Sequence, residues 1–243
     1  MTTGAQITID TSDGAMPAFE ATPDGGAKGA IVVVQEAFGV TAHIEHIATR
    51  LADAGWRAVA PAFFHRQGSP VLAYDDFDSV MPLMKELNPE GIAVDLNAAF
   101  DHFTVAGFGE RQMGIVGFCM GGSVTFHGAT LRKLGAAVTF YGGGVAEGRF
   151  GLPSLIDQAP SLQTPWLGLY GDLDQGIPSH DVDQLRQATA QANVPTEVVQ
   201  YPDGDHGFNC NDRPAVFNPT AAADAWNRTL NWFDRYVGAD NPT

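Results

Sequence analysis

No apolar run in this chain approaches the ~20 residues that a membrane-spanning helix requires, so no span is expected. Cysteine is scarce, with only Cys119 and Cys210 among 243 residues. Two cysteines in a chain of this length do not make a disulfide framework. Basic residues are few as well. Thirteen Lys and Arg stand against 28 Asp and Glu, for a net charge of −15. That balance lacks the basic footprint nucleic acid needs, and it disfavours anionic membrane surfaces. The first six residues have neither a basic start nor an apolar core. No signal peptide is expected, and a cytoplasmic location follows by default. Internal repeats, low-complexity tracts and linkers are also lacking, so residues 1–243 are expected to form one domain.

Alternating strand and helix patterns fill the rest of the chain. Residues 6–10 and 16–20 alternate like two short antiparallel strands around Ser12-Asp13-Gly14. Residues 29–35 form a continuous apolar run, the mark of a strand covered on both faces. Residues 41–54 follow with Ile44, Ile47, Ala48 and Leu51 at helical spacing. Further strands are expected at 56–60, 113–116, 136–141, 166–170 and 196–201. Helices are expected after Asn88-Pro89, over 123–131, over 182–191 and after Asn218-Pro219. This order predicts an α/β fold with a mostly parallel central sheet and helices on both faces. Residues 62–87 are poorly periodic and are expected to supply a pocket wall.

The most informative stretch is Gly117-Phe118-Cys119-Met120-Gly121-Gly122, between an expected strand and an expected helix. A cysteine at the apex of such a turn, flanked by glycines, fits a nucleophile elbow with sulfur as the attacking atom. Flanking glycines leave room for a tight turn that lifts the apex out of the sheet. The first N–H groups of the helix then favour a thiolate and an oxyanion at that point. The competing reading is a buried structural cysteine. A dinucleotide turn fits poorly, because the spacing is G-x-x-x-G-G. A phosphate loop is excluded because no Gly-Lys-Ser/Thr follows.

A cysteine nucleophile needs a base, and the base needs an orienting acid. His206, just after the last expected strand, is the best placed of seven histidines. Asp172 and Asp174 both follow the strand at 166–170, and residue chemistry alone does not separate them. His43 and His46 share a helix face near Glu45, but with no third ligand in view no metal is expected.

Four motifs in order carry a resemblance that spans nearly the whole chain. They are Gln35-Glu36-Ala37-Phe38-Gly39, the elbow itself, Gly171-x-x-Asp174-x-x-Ile177-Pro178, and His206-Gly207-Phe208. Together they resemble the dienelactone hydrolase (carboxymethylenebutenolidase) family of α/β-hydrolases. The order nucleophile, acid, base is also that of α/β-hydrolases. The resemblance implies that Asp174 is the acid and that Glu36 contacts the resting nucleophile and helps govern its ionisation. A salt-bridged structural glutamate is the alternative for Glu36. Oxyanion donors would be the backbone N–H groups of Met120 and Ala37.

The resemblance also implies a cofactor-free hydrolase of ester or lactone bonds in small molecules, acting through an acyl-enzyme as a monomer or homodimer. The alternatives are a non-catalytic small-molecule binding protein on the same fold and a thiol redox sensor using Cys119 and Cys210. Departures from the family pattern concern the substrate. Phe77, Met81 and Met84 stand where the dienelactone-specific enzymes carry an arginine, a tyrosine and a tryptophan. With Phe38 they are the expected lining of an apolar pocket, or they pack as core. Cys210 replaces an arginine four residues after the histidine, and Arg213 is the nearby candidate to take its place. Neutral apolar acyl groups are therefore expected to be preferred over anionic dienelactones.

Overall fold

The computed structural model describes residues 2–238. Its strands are β1 (Thr3–Thr11), β2 (Gly14–Thr22), β3 (Ala30–Val34), β4 (Arg57–Pro61), β5 (Met113–Phe118), β6 (Ala136–Phe140), β7 (Trp166–Gly171) and β8 (Thr196–Tyr201). Its α-helices are α1 (Ala42–Asp53), α2 (Phe77–Glu86), α3 (Pro89–Val105), α4 (Met120–Leu131), α5 (Leu155–Gln158), α6 (Ser179–Thr189) and α7 (Pro219–Tyr236). One sheet of eight strands runs in the order β1-β2-β4-β3-β5-β6-β7-β8. The β1–β2 hairpin joins β4 antiparallel, and every pair from β4 to β8 is parallel.

Burial explains why the central strands form where they do. Every residue of β3, β5, β6 and β7 is buried, as expected for strands covered on both faces. Each fully buried large apolar side chain among them contributes about 1.5–3 kcal/mol. Helices α3, α4, α5 and α6 pack in succession. Helix α1 instead meets α7, where the Arg50 guanidinium stacks on Trp226 at 3.8 Å. Helices thus cover both faces. Two helix starts follow a shared rule. Asn88 Oδ1 accepts from Gly91 N–H at 2.9 Å, and Asn218 Oδ1 accepts from Thr220 and Ala221 at 3.1 and 3.0 Å. Both asparagines precede a proline whose missing N–H costs nothing at a first helical position.

Three elements differ from the pattern expected from sequence. Helix α2 lies inside the supposedly irregular 62–87 segment, capped by Asp76, which accepts from Ser79 N–H at 3.2 Å. Helix α4 begins at Met120, directly after the cysteine, because the glycines of the elbow are themselves helical. Helix α5 has only four residues, too few to show a period.

The sheet order places a crevice. From β3 the chain crosses to β4 on one side, while β5 lies on the other. Ligands in open α/β sheets bind at the carboxyl ends of strands at such a reversal. Here those ends carry Glu36–Gly39 after β3 and Cys119 after β5. The segment before α2 lies over the first loop. Leu72 N–H donates to Phe38 O at 3.0 Å, and a Cβ on Gly39 would stand 2.3 Å from Pro70 O.

Candidate active site

Cys119 occupies a conformation few non-glycine residues adopt, with φ 54° and ψ −115°. Backbone contact on three sides imposes it. A Cβ on Gly117 would lie 2.0 Å from Gly121 O, and one on Gly121 would lie 2.4 Å from Gln35 O. On Gly122 it would meet Gly142 Cα at 2.7 Å. The strand, the helix and both neighbouring loops therefore approach more closely than any side chain allows. Cys119 N–H donates to Phe140 O at 3.1 Å, which fixes the turn to β6. Among the described residues, neither Met120 N–H nor Ala37 N–H donates to a backbone carbonyl in the turns and loops. Ala37 lies in the loop after β3, and Met120 is the first residue of α4, directly after Cys119.

Asp174 and His206 come from the turns after β7 and β8. Asp174 is buried, and its Oδ2 lies 2.6 Å from His206 Nδ1. Its Oδ1 accepts from Gly176 N–H at 2.8 Å, which holds the carboxylate plane. Asp172 is exposed and turns elsewhere, with Oδ1 accepting from Ser179 Oγ at 3.1 Å and Gln200 Nε2 at 2.9 Å. His206 also lies close enough to Cys119 for the two groups to interact electrostatically. Burial pulls its basicity down. The Cys119 charge and the Asp174 hydrogen bond outweigh burial and hold His206 well above its ordinary range. The protonated form therefore persists upward in pH. In an NMR titration, the His206 ring is expected to titrate above the usual ~6.5. In Cys119→Ala the midpoint should move down, because the negative charge that sustains the imidazolium is gone. A midpoint that stays put would leave Cys119 electrically uncoupled from His206.

Glu36, in the loop after β3, is 1% exposed. Its Oε1 accepts a long 3.5 Å contact from the Tyr141 hydroxyl, and Oε2 has no hydrogen-bond partner among the described residues. Tyr141 is itself buried, at φ 37°, with its ring 5.2 Å from that of His206. Burial and the Glu36 charge push its hydroxyl well above the normal phenol range. Cys210 is buried near Tyr74. Burial, aided by Glu36, pushes its thiol up to about 11.

The expected lining residues separate. Phe38 is buried, edge-on to Tyr74 at 4.8 Å and to Phe77 at 5.7 Å. Met84 is partly buried against the cluster of Ala37, Phe38, Phe64, Val80 and Met120, as is Cys119. Phe77 is 56% exposed and Met81 50% exposed, so neither packs as core. The Arg213 guanidinium lies 6.0 Å from the Phe38 ring and 5.7 Å from the Tyr74 ring, and forms no ion pair among the described residues. His43 faces Asn211, with Nδ1 3.3 Å from Oδ1. Tyr74, Tyr141 and Phe150 are neighbours of the site that sequence reasoning does not find. Their only signals are a tyrosine in an irregular segment, a strand-end tyrosine before three glycines, and a lone aromatic in a loop.

A mostly parallel sheet with this strand order, and a strained residue between β5 and α4, is the architecture of an α/β-hydrolase. Solved structures agree. The chain matches the crystal structure of a provisionally named dienelactone hydrolase from Klebsiella pneumoniae subsp. pneumoniae. The TM-score is 0.88 at 36% identity, covering 97% of this chain and 100% of that one. A sequence profile of the dienelactone hydrolase family matches residues 16–237, and the chain belongs to that family. It is 39% identical over 233 residues to the provisionally named carboxymethylenebutenolidase of Salmonella typhimurium (strain LT2), covering 92% of this chain and 84% of that protein. It is 31% identical over 232 residues to the carboxymethylenebutenolidase of Rhodococcus opacus, covering 93% and 89%. Among the described residues, no helix is long and apolar enough to cross a membrane.

Proposed function

We propose that the protein hydrolyses esters or lactones of small molecules through a cysteinyl acyl-enzyme. The observation that carries this reading is the 2.6 Å contact of Asp174 with His206, whose ring also interacts electrostatically with Cys119 at the strained elbow. The Cys119 sulfur attacks the carbonyl carbon, and the C=O electron pair moves onto oxygen. The N–H groups of Met120 and Ala37 hold that oxyanion. Collapse expels the alkoxide, which takes the proton of His206 and leaves a thioester. In a lactone the alcohol so formed stays attached to the acyl group. Water then attacks the thioester while His206 takes its proton. The second collapse returns Cys119 and releases the acid. Asp174 keeps the imidazole oriented and stabilises its charged form.

Glu36 acts on the nucleophile in this reading. Its carboxylate opposes negative charge on sulfur, because like charges disfavour one another. Glu36→Gln should therefore be alkylated faster by iodoacetamide at neutral pH. Equal labelling rates would assign Glu36 a structural role.

Phe38, Phe77, Met81 and Met84 give the mouth an apolar side, with Arg213 beside it. Neutral apolar acyl groups are expected to exceed anionic dienelactones in kcat/KM. Absence of the family's first arginine removes a contact of ~1.5–3 kcal/mol, roughly tenfold to a hundredfold. The experiment is a panel of p-nitrophenyl esters, lactones and thioesters. A dienelactone ranking first would overturn the preference, and no turnover of any member would overturn the hydrolase reading.

A further inference from the structure

Phe150 combines a backbone strain with a position that the chemistry above leaves unused. It sits at φ 57°, a region in which a bulky residue is an outlier. Asparagine or glycine would occupy it at lower cost. Strain of this kind persists only where the surroundings over-determine it, and it concentrates at functional sites.

Phe150 lies in the loop between β6 and α5. Leu152 N–H donates to Arg149 O at 2.8 Å, and Leu155 N–H donates to Gly144 O at 3.0 Å. The next residue, Gly151, has φ 71°, and a Cβ there would meet Pro89 Cδ at 3.0 Å, at the start of α3. The loop is thus fastened at both ends and pressed against α3. The sheet order places Cys119 between the loop after β3, which bears Phe38, and the loop after β6, which bears Phe150. The Phe150 ring is partly buried and touches two clusters, the main core and the small group of Ala37, Phe38, Phe64, Val80 and Met120. Cys119 touches the same two. The ring therefore extends from the β6 side into the same small cluster that packs against Cys119.

We propose that Phe150 is a specificity-determining residue, whose ring, held by a strained and fastened loop, closes the β6 side of the site and limits the size of the acyl group accepted. The inference deepens the hydrolase reading and rests on it. A phenyl ring at this wall excludes long chains by occupying their space. A slot of fixed size discriminates between homologous acyl groups by volume.

The test is kcat/KM on p-nitrophenyl acetate, butyrate and octanoate for the wild type, Phe150→Ala, Phe150→Gly and Phe150→Trp. Removal of the ring should raise the octanoate-to-acetate ratio about tenfold or more. Phe150→Trp should lower the butyrate-to-acetate ratio. Glycine accepts φ 57° without strain, so Phe150→Gly keeps the test open where the alanine variant fails to fold. A folded Phe150→Gly variant with the wild-type ratio would overturn the proposal, as would a uniform loss on all three esters. Failure of the underlying reading looks different, because Cys119→Ala would then retain hydrolysis whatever stands at Phe150.

Discussion

Cys119→Ala is expected to lose at least ~10³-fold in kcat on an activated ester while unfolding at nearly the wild-type temperature. The loss follows from the chemistry, since no other group among the neighbours of the crevice is placed to form the acyl bond. Cys210 is buried, with its thiol pushed up to about 11, which makes it a poor substitute. Retention of the fold follows from the elbow. Its backbone is held by glycine packing and by Cys119 N–H on Phe140 O, neither of which uses the sulfur. Alanine keeps the same Cβ and therefore the same strain. Steady-state kinetics beside thermal melts would check both halves. Activity within about tenfold of wild type would end the nucleophile assignment.

Asp174→Asn should follow with a loss of roughly 10²- to 10⁴-fold, against little change in Asp172→Asn. The two carboxylates lie two residues apart and face opposite environments. Asp174 is buried against His206 Nδ1, so an amide there offers a neutral and ambiguous partner to a ring that must stay oriented. Asp172 is exposed and holds Ser179 and Gln200, where an amide still accepts both hydrogen bonds. Paired kcat measurements decide the matter, and equal losses or a reversed ranking would show that the acid was misassigned.

The difference between these aspartates illustrates what a sequence carries. Both occur in Gly171-Asp172-Leu173-Asp174, and their side-chain chemistry is identical. Only the turn after β7 gives one to the imidazole and the other to solvent. The resemblance to a family chose Asp174, where residue physics left both open. Strands β3, β5, β6 and β7 are legible because both faces are apolar. Helices α3 and α7 are legible because an Asn-Pro pair opens each. Helix α2 is not, since Pro82 interrupts it and Val80 is its only buried residue. Tyr141 and Phe150 owe their positions beside the site to positive φ values in loops, and no sequence period reports those.

The three glycine contacts of the elbow have a wider meaning. They are backbone-to-backbone, and none involves the atom at the apex. In the proposed reaction the scaffold would therefore set the direction of attack independently of which element attacks. Oxygen in the position of sulfur would inherit the same imidazole and the same pair of N–H donors, and only its own acidity and reach would differ. Interchange of the attacking element is therefore a change of reagent within an unchanged socket. The positions at which any side chain would break that socket are Gly117, Gly121 and Gly122, which no substrate needs to touch.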